Sequence, residues 1–227
     1  MTKQRLAIAI DGPAGSGKST VGDMLAERLG YIHLSTGAIY RAIGWKAKQQ
    51  GVRFDDIPAM QELIEHTTIE FRKDVGTHRI LLDGYDVTDI LTTNEAGKLA
   101  SAIAVIPEVR TGVLPLQRQA GKHGGVILDG RDIGTVVFPD ANVKFYLDAS
   151  PEERAKRRHL QLQEQGIASS LEQLILDIKK RDHNDSTREA SPLRQAEDAF
   201  YIDSTPYSLE EVVDIMEDKI RKITDSH

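Results

Sequence analysis

Eight consecutive residues, Gly12-Pro13-Ala14-Gly15-Ser16-Gly17-Lys18-Ser19, match the spacing G-x-x-x-x-G-K-[ST] in full. These residue types suit the phosphates of a nucleotide. The glycines let the backbone curl until its N–H groups converge on phosphate oxygens. Lys18 supplies positive charge for the β- and γ-phosphates. Ser19, followed by Thr20, brings a hydroxyl for Mg²⁺ to a helix N-terminus, where the dipole favours an anion. A Gly-rich turn by itself is a weak signal, and its flanks strengthen it. The apolar run Leu6–Ile10 precedes it, and Thr20–Leu29 follows with Val21, Leu25 and Leu29 four apart, a helical spacing. A bound nucleoside triphosphate is expected. Farther on, Leu128-Asp129-Gly130-Arg131-Asp132 closes another apolar run. A strand-end carboxylate such as Asp129 suits Mg²⁺ or its waters; it equally suits a plain turn.

The remaining chemistry is carried by arginine, with 16 arginines against 13 lysines. A kinase whose acceptor is itself a phosphate needs no general base, because that phosphate is already ionised near pH 7. It needs cations over the charge that spreads across the transferred phosphoryl oxygens. Arginine serves best, being permanently charged and able to fork onto two oxygens. Arg154, Arg157 and Arg158 stand at i, i+3 and i+4, one face of a helix. Arg181, Asp185 and Arg188 stand at i, i+4 and i+7 and share a face if the helix runs that far. Such runs are also ordinary solvated faces. Arg41 and Arg131 are better placed, each following an expected strand, because ligands of open α/β sheets gather at the carboxyl ends of strands.

The elements that must position these groups alternate. Apolar runs of strand length occur at Leu6–Ile10, Tyr31–Leu34, Gly125–Leu128, Val143–Leu147 and Ala199–Ile202. Helix starts follow them: Ser150-Pro151-Glu152-Glu153 and Ser208 with Glu211 have capping-box spacing. Alternation of this kind implies βαβ units and a parallel sheet of five strands. One region breaks the rhythm. Thr68–Lys73 and Arg79–Asp83 read as an antiparallel hairpin with Asp74–Thr77 as its turn, inside an insertion at roughly 63–100. A second break, Gln165–Ser169, separates two charged helices.

Composition narrows the class. The chain has 227 residues, 40% apolar residues, no cysteine and a formal charge of −6. Disulfides, thiolate metal sites and catalytic thiols are excluded. No apolar run exceeds five residues, so neither a membrane helix nor a secretory signal is expected. Net acidity argues against broad nucleic-acid binding. The whole excess of acid lies in residues 195–227, which hold nine acidic and three basic residues. The 26 acidic and 26 basic residues before them balance. A cytoplasmic protein, independent of membranes and nucleic acid and monomeric, is the expectation.

Taken together, four stretches resemble bacterial cytidylate kinases: Gly12–Thr20, Ser35–Arg41, Asp129–Ala141 and Lys180–Asp185. The matching motifs run from residue 6 to about 207 in that family's order, and the insertion at 63–100 resembles the extra subdomain its members carry. The resemblance implies an α/β P-loop kinase fold: a five-stranded parallel sheet flanked by helices, with an inserted small α+β subdomain and a short lid. It implies a core from 1–35, 101–150 and 195–227, a monophosphate-binding domain over 36–100, and a lid with adjoining helices over 151–194. The implied reaction uses ATP and Mg²⁺ to convert CMP and dCMP to CDP and dCDP. By motif, Arg41, Arg131 and Arg188 would hold the acceptor phosphate, with Thr36, Tyr40 and Gly130 beside it. Ser101, Arg110 and Asp132 would read the base, and Arg181 with Asp185 the ribose. Gly12 to Thr20 and Arg157 would bind ATP, while Lys18, Arg131, Arg158 and Asp129 would serve the transfer itself. Ser19 would ligate Mg²⁺, with Asp129 acting directly or through water. Arg154 would join Arg157 and Arg158 in the lid. Two other readings stay open on sequence alone: a P-loop kinase for another small acceptor such as UMP, and a nucleotide-dependent switch. Against the switch, the chain has neither the N-K-x-D stretch of guanine readers nor an L-S-G-G-Q-like signature.

Overall fold

A computed structural model describes residues 5–74, 77–121 and 124–224. In chain order the elements are β1 (Ala7–Asp11), α1 (Lys18–Leu29), β2 (Ile32–Ser35), α2 (Thr36–Gln49), α3 (Ile57–Glu65), β3 (Ile69–Asp74), β4 (Thr77–Leu82), β5 (Tyr85–Asp86), α4 (Thr88–Leu91), α5 (Asn94–Ile103) and α6 (Pro107–Gly121). There follow β6 (Val126–Gly130), a wide π-helical turn (Ile133–Val137), β7 (Val143–Asp148), α7 (Pro151–Glu164), α8 (Leu171–Thr187), β8 (Phe200–Asp203) and α9 (Leu209–Thr224). The chain forms two compact units, Met1–His33 with His123–His227 and Leu34–Lys122. No single helix among the described residues is long and apolar enough to cross a membrane.

The first unit is built on a five-stranded sheet of order β2-β6-β1-β7-β8. Central β1 pairs in parallel with both β6 and β7, and β7 with β8. β1 and β6 are buried nearly throughout, as their unbroken apolar runs require of strands covered on both faces. Ile8, Ile10, Phe145 and Leu147 of the sheet pack with Val21 and Leu25 of α1 and Val213 and Met216 of α9. Four of the five expected strands, those of β1, β2, β6 and β8, begin one residue later and all five end one or two residues later than their apolar runs. Ladder hydrogen bonds belong to the backbone and continue through polar residues, as where Asp11 pairs with Gly130. That extension carries Asp11 and Asp129 to the carboxyl end of the sheet.

Both expected helix caps are present. Ser150 Oγ accepts from the Glu153 amide at 3.2 Å. Ser208 and Glu211 bond reciprocally, the Glu211 amide to Ser208 Oγ at 3.3 Å and the Ser208 amide to Glu211 Oε2 at 2.8 Å. α7 and α8 are separated at the expected break.

The second unit carries the hairpin, in a three-stranded antiparallel sheet of order β3-β4-β5. Ile69 pairs with Leu82 and Arg72 with Arg79. Of the expected turn, Val75 and Gly76 lie outside the described residues. β4 ends at Leu82 rather than Asp83, which adopts a left-handed φ of 49° and turns the chain into β5. Helices α2, α3, α5 and α6 bury Ile39, Ile43, Met60, Ile103, Val109 and Val113 in one core.

Candidate active site

The chain leaves β1 through Gly12 at φ +149°, where a Cβ would lie 2.0 Å from the Leu147 carbonyl oxygen. Only glycine lets the loop depart so close to β7. α1 starts at Lys18, two residues before the expected Thr20. Gly17 sits in the left-handed region, and its carbonyl accepts the first helical bond, from the Val21 amide at 2.9 Å. Lys18 and Ser19 therefore occupy the first turn, whose amides have no intrahelical partner and are the anion-binding end of the helix; Thr20 is exposed beside them. The Lys18 ammonium is buried and donates to the Pro13 carbonyl at 2.5 Å and Ser16 Oγ at 3.2 Å. Burial, with the charge of Arg131, pulls its pKa well below the usual lysine value; Asp129 and Asp11 oppose this. A phosphate beside Lys18 would favour the charged form in the same way.

Ser19 Oγ donates to Asp129 Oδ2 at 3.0 Å. The other oxygen, Oδ1, meets His33 Nε2 at 3.0 Å, and His33 Nδ1 meets Asp23 Oδ1 at 2.8 Å. Burial raises the Asp129 pKa, but the His33 hydrogen bond and charge, with Lys18, outweigh it and hold the value at about 2. Burial lowers the His33 pKa, and the two carboxylates outweigh it in turn and raise it to about 9. The pair is ionised at neutral pH.

Asp129, Gly130, Arg131 and Asp132 lead from β6 into the π-helical turn, which the Val137 amide closes on the Asp132 carbonyl at 3.1 Å. Asp11 anchors this turn, accepting from the Ile133 and Gly134 amides at 2.7 Å each. Burial pushes the Asp11 carboxyl up to about 7 while those amides pull the other way. Arg131 Nε donates to Asp185 Oδ2 at 2.8 Å, and its Nη1 reaches the Gly130 carbonyl at 3.4 Å. α8 stops at Thr187 and Arg188 is extended, so the shared helical face expected through Arg188 is interrupted. Arg188 still faces the cluster, with Nη1 3.7 Å from Asp185 Oδ1 and Nη2 4.0 Å from Asp132 Oδ1. Arg181 is exposed on α8, and its charge reaches both Lys18 and Asp185. Burial would raise the Asp185 pKa; Arg131, Arg181 and Arg188 outweigh it and keep the carboxylate ionised.

The three arginines of α7 part company. Arg154 is buried and forks onto Asp182, Nη1 to Oδ1 at 3.0 Å and Nη2 to Oδ2 at 2.5 Å. It also donates to the Ala149 carbonyl at 2.8 Å and the Ala14 carbonyl of the phosphate loop at 2.9 Å. It clamps α7, α8 and that loop together. Arg157 donates to Ser204 Oγ and to the Ser204 carbonyl at 3.2 and 2.9 Å. A Cβ on Gly17 would lie 3.9 Å from its Nη1, so Arg157 borders the loop. Arg158 is half-buried and donates to Gln161 Oε1 at 2.6 Å.

In the second unit, buried Thr36 and Tyr40 and half-buried Arg41 lie on α2. Ser101 on α5 donates back to the Gly97 carbonyl at 3.0 Å. Arg110 on α6 is buried, donates to the Ala104 carbonyl at 3.2 Å, and stands 5.5 Å from the Tyr40 ring centroid. Cation and ring are thus within cation–π range.

The family model described as cytidylate kinase matches residues 8–222. The chain belongs to the cytidylate kinase family. Among curated relatives, the cytidylate kinase of Geobacter sulfurreducens is 48% identical, covering 97% of this chain and 94% of the relative. That of Citrifermentans bemidjiense is 47% identical over 95% of this chain and 92% of the relative. Among solved structures, an uncharacterized protein from Eubacterium ventriosum aligns over 98% of this chain and 99% of its own with a TM-score of 0.52. At 15% identity that likeness is one of fold.

Three residues at the site escaped the sequence reading: Asp11, Asp23 and His33. Asp11 directly precedes Gly12, so a carboxylate at that strand end was available as a signal. A histidine in the middle of a strand as apolar as Tyr31–Leu34 also asks for a buried polar partner, but its two partners lie 10 and 96 positions away.

Proposed function

We propose that this chain transfers the γ-phosphoryl group of ATP to CMP and dCMP, giving ADP with CDP or dCDP. The match of the cytidylate kinase model to residues 8–222 carries this reading. Its test is an ADP-release assay across CMP, dCMP, UMP, AMP and shikimate. CMP and dCMP are expected to be turned over efficiently; no turnover with CMP overturns the reading.

Each residue then has a task its chemistry suits. The loop from Gly12 to Thr20, through the backbone N–H groups of every residue but Pro13 and through the Lys18 ammonium, holds the ATP phosphates, with Arg157 and Arg158 on the same substrate. Arg41, Arg131 and Arg188 hold the acceptor phosphate, with Thr36, Tyr40 and Gly130 beside it. Because that phosphate is already ionised, catalysis is positioning and charge stabilisation, shared by Lys18, Arg131, Arg158 and Asp129. The 2.8 Å bond from Arg131 to Asp185 supports this assignment, since it holds the guanidinium in one orientation. Asp185 and Arg181 take the ribose.

Cytosine presents an amino donor at N4 and acceptors at N3 and O2. Asp132 suits the donor, and Arg110 and Ser101 suit the acceptors. Uracil inverts the pattern at N3 and position 4 and leaves buried groups unpaired. At roughly 1–3 kcal/mol per unpaired group, UMP is disfavoured without being excluded.

Mg²⁺ fits the oxygen pair of Ser19 and Asp129, which lie 3.0 Å apart with the carboxylate ionised. Ser19 would ligate it, and Asp129 would act directly or through water. When bound, the ion neutralises charge on the phosphate oxygens. We further propose that the protein is a cytoplasmic monomer independent of membranes and nucleic acid; sedimentation at micromolar concentration tests the monomer.

A further inference from the structure

We infer that His33 is a positioning residue that fixes the Asp129 carboxylate for a divalent cation, with Asp23 as its outer anchor. This rests on the phosphotransferase reading above for the location of the cation, and on three features of the ring for its own role.

First, both ring nitrogens are committed, Nε2 to Asp129 at 3.0 Å and Nδ1 to Asp23 at 2.8 Å. Each end of the ring faces a carboxylate oxygen, so the imidazole is fixed between α1 and the end of β6. Second, the two oxygens of Asp129 are divided, Oδ1 to the ring and Oδ2 to the Ser19 hydroxyl. A carboxylate held at one oxygen cannot turn that oxygen toward Ser19. It presents the same lone pairs to a cation every time the site fills. Third, the ring lies against α1 where the helix has no side chain: a Cβ on Gly22 would be 2.5 Å from Nε2 and 2.7 Å from Cδ2. Gly22 therefore sets the depth of the ring, and with it the reach of Nε2. The side chains of His33 and Asp129 are buried, whereas that of Asp23 is 53% exposed. The network thus runs from the surface to the cation-facing carboxylate.

A histidine that merely fills the core would affect folding and leave metal binding alone. A hydrogen-bonded partner that orients a ligating group typically changes metal affinity by about 10–100-fold. The two roles separate in a binding measurement that needs no turnover: the Mn²⁺ affinity of the ADP complex, read from the electron paramagnetic resonance signal of free Mn²⁺. His33→Leu is expected to weaken Mn²⁺ binding about tenfold while ADP affinity without metal stays within about twofold. His33→Gln, whose amide can donate to Asp129 Oδ1, is expected to restore most of that loss. Gly22→Ala, which displaces the ring, should behave like His33→Leu. Asp23→Asn changes an exposed side chain and retains the fold; a loss of about two- to fivefold is expected.

Unchanged Mn²⁺ affinity in Asp23→Asn, together with unchanged affinity in folded His33→Leu, overturns the inference. So does an equal fall of ADP affinity with and without metal, which marks a structural role. If His33→Leu does not fold, unchanged affinity in Gly22→Ala or a failure of Asp23→Asn to weaken Mn²⁺ binding is sufficient to overturn it. Wild-type protein that binds Mn²⁺–ADP and shows this pattern, yet does not turn over CMP, would refute the kinase reading and leave this one standing.

Discussion

Replacing Arg154 with methionine tests whether the phosphate loop is held from behind by α7. Methionine matches the length of the stem and removes every donor. Four hydrogen bonds are lost: two to Asp182, one to the Ala149 carbonyl and one to the Ala14 carbonyl. The Arg154 side chain is 3% exposed and that of Asp182 24%. Breaking a buried pair costs about 3–5 kcal/mol when one charge is left behind. Asp182 retains some access to water, which puts Arg154→Met near the lower end, about 3 kcal/mol. For a chain of this size that corresponds to roughly 6–12 °C in Tm. The lost tether at Ala14 also loosens the loop, so KM for ATP is expected to rise about three- to tenfold, more than KM for CMP. Urea unfolding at pH 7 and steady-state kinetics with each substrate varied are the assays. A double variant, Arg154→Met with Asp182→Leu, should recover part of the stability by removing the stranded carboxylate. A loss below about 1 kcal/mol with KM for ATP unchanged would refute the clamp.

Three further outcomes follow from the same geometry. Lys18→Ala is expected to lower phosphoryl transfer by about 10³-fold or more while CMP affinity changes little; equal losses in both would contradict that division. Asp185→Ala frees Arg131 and removes a partner of Arg188, so kcat/KM for CMP should fall about 10–100-fold, and CMP should suffer differently from dCMP if the ribose is touched. Equal ratios for the two substrates would argue against a 2′-OH contact. For His33 the folded pKa, about 9, lies above the ordinary 6.5. Its contribution to stability is therefore complete below about pH 6.5 and is lost as pH rises through 9. The difference in unfolding free energy between wild type and His33→Gln should shrink by about 3 kcal/mol across that window, and parallel pH profiles would exclude it.

The sheet was legible because its strands carry short apolar runs, and the phosphate loop because its chemistry demands fixed spacing. What sequence could not supply was backbone continuation and side-chain destination. Asp11, just past the apolar run, is a ladder residue that accepts two amides from a turn 122 and 123 positions away. Spacing alone puts Arg154, Arg157 and Arg158 on one helix face and does not report what each touches. Contact with Asp182 and Ala14 makes one a clamp, contact with Ser204 ties another to the end of β8, and the third bonds along its own helix. The spacing of Arg181, Asp185 and Arg188 was sound for the cluster but not for the helix, since extended backbone at Arg188 replaces the last turn. Short β5 and α4 carry too few residues to show a period. The network of His33 joins α1, β2 and β6, and no local pattern connects those elements.

The strand order has a consequence for how the protein is made. Leu34–Lys122 is one unbroken stretch with its own core, and such stretches generally fold as units during synthesis. The phosphate loop is made before this stretch, yet its completion waits for residues 188 positions farther along the chain. Ser204 donates to the Ser16 carbonyl across 188 positions, and Leu209 closes within 3.3 Å of where a Cβ on Gly17 would be. Arg28, at the far end of α1, pairs with Glu210, Asp214 and Glu217 of α9. A nascent chain therefore carries the entire nucleotide motif in an unfinished form until α9 emerges. Nucleotide binding becomes a report that α9 has been made and has packed against α1.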